Sequence, residues 1–268
     1  MSGQRLGRRG LESLRDDLSG RDLAIVRQVA DLKLMSARQI EAVHFTLADH
    51  ASAVTAARSA RRVLERLVRD RLLMRLARRV GGIRAGSASY VYTVGPVGQR
   101  LIGHAQPRLR FREPSATFAL HTLAVSQLVV DLTAVSRSRR IELLGLQPEP
   151  MCWRSSVGPM GTSTVLRPDL FAAVGIGDYE HRWFIEVDLG SEHLPTLLRK
   201  CTAYEAYYRT GSEQHEHGMF PRVLWIMHHA ARAERLHDAI ENDARLTTAL
   251  FTVTTAVSAI DAICRGRS

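Results

Sequence analysis

The residues best placed to do chemistry fall within "LRPDLFAAVGIGDYEHRWFIEVDLGSEHLPTLLRKCTAYEAYY", residues 166–208. Asp169 follows a proline, Glu186 and Asp188 stand two apart in an apolar β-like run, and Lys200 lies on what reads as the next helix. Side chains alternate along a strand, so Glu186 and Asp188 share one face while Ile185 and Val187 take the other. Mg²⁺ and Mn²⁺ prefer carboxylate oxygens, one or two from the protein with water and substrate phosphate completing the shell. Such an ion activates water and takes up charge growing on a phosphate; a nearby lysine orients that water or neutralises the transition state. The chemistry on offer is phosphodiester hydrolysis. Its catalytic candidates are Asp169, Glu186 and Lys200, and its metal candidates Asp169, Glu186 and Asp188. An ordinary alternative stands beside it, because Pro-Asp is common at strand starts and Glu-Val-Asp suits an exposed strand face.

Other reactive residue types carry less. His215, His217, His228 and His229 sit in a polar loop and at a strand end and read as solvated, while His121 on an apolar helix reads as a core histidine. Tyr204, Tyr207 and Tyr208 read as packing residues. Cys152, Cys201 and Cys264 are odd in number and far apart, which suggests neither a disulfide framework nor a zinc site. "GIGDYE" (175–180) reads as a β-turn, since no Gly-rich helix start follows it.

The elements that must hold the acidic residues form an α-β-β-β-α-β-α-β series. A long helix, apolar over much of its circumference, is expected over 116–138, and strands over 141–149, 164–175 and 181–190. A helix beginning at 194 carries Lys200 beside a stripe of Leu197, Cys201, Tyr204 and Tyr208. A strand (221–229), a helix (231–246) and the strand "ALFTVTTA" follow. With the late crossover strand parallel to its neighbour, this order makes a mixed sheet flanked by helices.

Charge separates this half from the one before it. Residues 1–112 hold 22 Lys/Arg against 9 Asp/Glu, whereas residues 113–268 hold 15 against 18. Only Lys33 and Lys200 are lysines among the 37 basic residues, so arginine bias is general, but it does not explain the asymmetry. Concentrated arginine neutralises phosphate, and the first part is expected to bind nucleic acid. Ser19 with Asp22 opens a first helix, 36–45 is a second, and 52–73 a third with Val54, Ala57, Ala60, Leu64 and Leu67 on one face. Two β-like runs around "VGGIRAGS" then make a hairpin. Three helices and a hairpin describe a winged helix-turn-helix, with Thr55, Arg58, Ser59, Arg61, Arg62 and Arg66 of the third helix and Arg78, Arg79 and Arg84 of the wing as DNA-binding candidates. A small helical bundle used for dimerisation would show the same pattern.

The expected fold class is mixed α/β, divided into a polar leader (1–18), a winged-helix domain (19–103), a linker (104–115) and a second domain (116–268). At 45% hydrophobic, the 268 residues can bury real cores. No apolar run reaches the roughly 18 to 20 residues of a membrane span, and no apolar stretch backs the basic N-terminus. A cytoplasmic protein is expected.

The strand order resembles the core of the PD-(D/E)XK nuclease superfamily, and "RPDL" with "WFIEVDLG" resembles its second and third motifs. Joined to a winged helix, "RPD…FIEVDLGSEHLPTLLRK…Y…YY" looks like the replication-relaxation family of bacterial and plasmid-borne proteins, over roughly residues 19–229. The resemblance implies that Asp169 and Glu186 hold a divalent metal, Mg²⁺ or Mn²⁺. It places the superfamily lysine at position 188, where this chain has Asp188, and some members carry that lysine on the following helix, where Lys200 stands. It implies double-stranded DNA as partner, with a second copy of the chain and replication or conjugation proteins as further partners. Two functions follow, a metal-dependent DNA endonuclease of plasmid or mobile-element replication or transfer, and a non-catalytic DNA-binding regulator or mobilisation accessory protein built on the same fold.

Overall fold

The computed structural model describes residues 7–77, 89–103, 113–157, 161 and 163–266. The chain is a mixed α/β protein and divides into two compact units, Met1–Val130 and Asp131–Ser268.

In the first unit α1 (Arg8–Asp17) precedes α2 (Gly20–Asp31), β1 (Met35–Ser36), α3 (Ala37–His44) and α4 (Ala53–Arg69). Three of these helices begin with the same local device. Ser19, Ser36 and Ser52 each accept a hydrogen bond from the backbone N–H three residues on, and the side chains of Asp22, Gln39 and Thr55 accept one in turn from the serine N–H. Ile25, Val26 and Val29 of α2, Ile40 and Val43 of α3, and Ala56, Ala60, Leu64 and Leu67 of α4 make the core. The buried face of α4 thus runs through Ala56, not Val54, which is 69% exposed. Both phases fit the run of small and apolar residues in this helix, and packing chooses between them.

Strands β2 (Leu73–Arg75) and β3 (Val91–Val94) pair antiparallel as expected, and β1 adds a third strand on the far side of β3, in the order β1-β3-β2. The helix-to-strand corner is tight. Leu72 N–H bonds to Leu67 O and Arg71 N–H to Val68 O, with Arg71 in the left-handed region at φ 59. Helix α5 (Pro96–Leu101) lies against this corner so closely that a Cβ on Gly98 would run into Leu72 O.

Helix α6 (Ala116–Arg137) spans the division between the units. Its early turns pack within the first, where Ser126 donates to Leu34 O at 2.7 Å and Gln39 Nε2 donates to Leu123 O at 2.9 Å. Ala119 joins Leu34, Leu76 and Val91 in a small apolar cluster. A helix assigned from its sequence wholly to the second half therefore also completes the first. By length and composition alone it is apolar enough to cross a membrane. His121, Ser126, Gln127 and Asp131 keep its uninterrupted apolar runs short, as expected, without offsetting the mean hydropathy.

The second unit is built on a five-stranded sheet in the order β10-β9-β8-β7-β4. Strands β4 (Glu142–Pro148), β7 (Leu170–Ile176) and β8 (Tyr179–Asp188) are antiparallel, and β7 and β8 are joined by a two-residue turn with Gly177 at φ 57. Strands β9 (Arg222–Met227) and β10 (Phe251–Thr255) run parallel to β8. Parallel neighbours need crossovers. Helices α7 (Leu194–Arg209) and α8 (Ser212–His217) supply the first, α9 (Ala230–Glu241) the second, and α10 (Ala259–Arg265) follows β10. Phe184, Tyr204, Tyr207, Trp225 and Leu236 lie in the apolar layer between sheet and helices.

The stretch expected as one strand over 164–175 is two. Strand β6 (Ser163–Leu166) pairs with β5 (Arg154–Val157) in a separate hairpin, and β7 starts only after Pro168 and Asp169. Proline has no N–H for the ladder, so the strand breaks where the candidate motif begins.

Candidate functional site: an acidic centre and a basic helix

The break after β6 places Asp169 next to Glu186. In the β7–β8 register Leu170 faces Ile185, and Asp169 N–H donates to Ile185 O at 3.1 Å, so Asp169 falls beside the central strand one step further on. Its Oδ2 accepts from Val187 N–H at 2.8 Å, which fixes the carboxylate against β8.

Glu186 is 2% exposed. One oxygen accepts from the Tyr204 hydroxyl at 2.7 Å and the other from Lys200 Nζ at 3.2 Å. Lys200 reaches Glu192 as well, at 3.3 Å. Burial, reinforced by the negative charge of Asp169, raises the Glu186 pKa to about 7 against the pull of Lys200 and Tyr204. Burial works against the Lys200 ammonium, but Glu186, Glu192 and Asp169 outweigh it and hold its pKa above the ordinary range. Lys200 therefore keeps its proton, beside a carboxylate less acidic than usual. Among the sequence candidates, the structure brings Asp169, Glu186 and Lys200 together.

Asp188 is drawn elsewhere. It shares the helix-covered face with Glu186, as strand alternation demands, yet its Oδ2 is ion-paired with Arg232 Nε from the first turn of α9. Arg232 also donates to the Glu192 carbonyl. A guanidinium thus neutralises the third carboxylate, and among the described residues no three His, Cys, Asp or Glu side chains are grouped to hold an ion. Of the three carboxylates expected to hold a metal, the structure keeps Asp169 and Glu186 together, near enough for the charge of Asp169 to help raise the pKa of Glu186.

Tyr204, Glu192 and Arg232 complete this centre without having been read as site residues. Tyr204 does pack in the core, as its helical stripe implies, but its hydroxyl end belongs to the centre. Nothing local marks Glu192 or Arg232, because a crossover brings their elements together. Buried carboxylates are not by themselves a sign of chemistry here. Glu205 and Glu213 are equally buried and act as anchors, Glu205 accepting from Arg209 and from Thr247 N–H, Glu213 from Arg154 and Tyr207. His215, His217, His228 and His229 are exposed, His229 capping α9 through Nδ1. Cys152 and Cys201 are buried, and burial pushes both thiols up to about 12.

The basic candidates of the first unit divide by how their side chains are used. Arg58, Arg61 and Arg62 are exposed on α4 and form no ion pair among the described residues. Arg66 instead binds buried Asp22 at 2.6 Å, tying α4 to the start of α2. Thr55 is exposed, but its hydroxyl serves the Ser52 cap, bonding the Ser52 N–H at 3.0 Å and Ser52 O at 2.8 Å. Ser59 is half-buried. Arg78, Arg79 and Arg84 lie outside the described residues.

Fold and site together define a two-unit mixed α/β protein with a basic helix in one unit and a Lys-braced acidic centre in the other. The chain belongs to the replication-relaxation family, whose model matches residues 26–223. Comparison with curated proteins and with solved structures finds no match.

Proposed function

We propose that this chain is a cytoplasmic duplex-DNA-binding protein acting in the replication of a plasmid or other mobile element, with the first unit serving as a winged helix. Membership of the replication-relaxation family supports the replication role. The observation that carries DNA binding is the outer face of α4, where Arg58, Arg61 and Arg62 are exposed and form no ion pair among the described residues. Three guanidiniums held out to solvent within five residues match a phosphate backbone, and each phosphate neutralised releases condensed counterions. Binding of fluorescent duplex DNA, measured across salt concentrations, tests this. The triple variant Arg58→Ala, Arg61→Ala, Arg62→Ala lowers the slope of log affinity against log salt by about 2.7 if all three meet phosphates. An unchanged slope removes α4 from the interface.

A second reading has its own support. Lys200 reaches Glu186 from the helix after the strand, beside Asp169, as in a PD-(D/E)XK-like nuclease whose lysine has moved off the strand. Asp169 and Glu186 would hold Mg²⁺ or Mn²⁺, which when bound supplies Lewis-acid activation of water and phosphate. Asp169 is fixed for this by the Val187 N–H, Glu186 by Tyr204, and Lys200 offers a permanent positive charge to the phosphate. Arg232 on Asp188 weighs towards the non-catalytic reading. Supercoiled plasmid incubated with Mg²⁺, Mn²⁺ or EDTA separates the two. Metal-dependent nicking lost in Asp169→Ala and in Lys200→Ala establishes the nuclease; binding without nicking leaves the second unit as a scaffold.

A further inference from the structure

The first two turns of α4 set one exposed apolar residue beside arginines on the same outer side. Val54 is 69% exposed, an unusual position for a β-branched apolar residue in a helix whose buried face runs through Ala56, Ala60, Leu64 and Leu67 and whose other valines, Val63 and Val68, are half-buried. At 100° per residue, Val54 and Arg58 are neighbours one turn apart, with Arg61 and Arg62 one turn further along the same outer side. Val54, Arg58 and Arg61, with Ala53 and Ala57, line a shallow cleft of about 380 Å³. Thr55, the polar residue nearest this group, is not a reader because its hydroxyl is committed to the helix cap. Glu65 stands exposed on the next turn and would repel a phosphate, which limits the contact to residues 54–62.

We infer that α4 reads a thymine-containing site in the major groove, Val54 packing on the thymine C5-methyl group and Arg58 donating to the acceptor edge of a nearby guanine. This rests on the DNA-binding reading above and deepens it. Only the major groove presents the thymine methyl, and an apolar side chain is its natural contact; guanine offers two acceptors there that match a guanidinium fork. Duplex DNA is the occupant that fits a face combining one exposed apolar side chain with three exposed arginines that form no ion pair among the described residues, since an apolar protein partner would leave those charges buried. Ala57, between Val54 and Arg61 on the cleft wall, has no side chain beyond Cβ and leaves room for the base edge.

The test uses the full chain. A randomised duplex pool is selected at moderate salt, and the recovered site is resynthesised with deoxyuridine replacing each thymine in turn, which removes only the methyl group. One such replacement weakens binding of the wild-type protein about fourfold, the value of one buried methyl converted at tenfold per 1.4 kcal/mol. The same replacement leaves the affinity of Val54→Ala unchanged, and Arg58→Ala loses its preference for guanine at one position by about tenfold or more. Val54 is exposed, so its substitution does not threaten the fold. Methyl removal that affects Val54→Ala as much as wild type, or that affects neither, overturns the inference while salt-sensitive binding keeps the broader reading. Absence of duplex binding at low salt overturns both.

Discussion

The outer face of α4 and the acidic centre of the sheet are both rich in charge, and they use it in opposite ways. On α4, Arg58, Arg61 and Arg62 are held away from any internal partner among the described residues. In the acidic centre every cation is spoken for, Lys200 by Glu186 and Glu192, Arg232 by Asp188. Uncommitted surface charge costs the fold little and remains available to a partner. Charge taken out of water must be paired before any partner arrives, because an isolated buried ion is expensive. The contrast teaches that the outer face of α4 adds little to stability and leaves its charge exposed to solvent, while in the acidic centre the charges are bound up with the fold itself.

The sharpest way to break this comparison is at Asp188. Asp188→Ala leaves Arg232, mostly buried, without its carboxylate, and should lower the stability of the second unit by roughly 3–5 kcal/mol in denaturant unfolding followed by tryptophan fluorescence. Adding Arg232→Met should recover much of that loss; a cycle with no coupling would show that the pair does not hold β8 to α9. A smaller effect is expected within α4 itself. Arg66→Ala strands the buried Asp22 carboxylate and should cost about 2 kcal/mol, although the Ser19 cap still satisfies part of it. Its neighbour one turn earlier should behave in the opposite manner. Arg62→Ala should change stability by less than about 0.5 kcal/mol and reduce the salt slope of DNA binding by about 0.9. If Arg62→Ala destabilised the protein as much as Arg66→Ala, exposure would not distinguish recognition from support on this helix.

Much of the architecture was legible because its signals are local. Ser19 with Asp22 announced the start of α2, the glycine-rich stretch between two β-like runs announced the pairing of β2 with β3, and the alternation in "WFIEVDLG" put Glu186 and Asp188 on one face. The trio Asp169, Glu186 and Lys200 was legible for a related reason, since Asp169 immediately precedes β7, β7 and β8 are hairpin neighbours, and the lysine lies on the next element. Misreadings arose where local information was degenerate. Ala53, Ala56, Ala57 and Ala60 surround Val54 in the first turns of α4, so a face through Val54 and a face through Ala56 score alike until neighbouring helices select one. The break at Pro168 is visible in hindsight, but the apolar residues on both sides read as one continuous strand.

By itself, the sequence determined the main helices of the first part and the strands and crossover helices of the five-stranded sheet, the serine caps of three helices, the basic character of the first part, and which three candidate residues come together at the acidic centre. Each of these depends on hydrogen bonds or periodicity within a few residues, or on pairing between adjacent strands. Only the tertiary structure decided that Val54 faces outward, that the early turns of α6 complete the first unit, and that Asp188 pairs with Arg232, 44 residues along the chain. These depend on which surfaces are brought together when crossovers close and cores fill, and a buried charge takes whichever partner that closure places within reach.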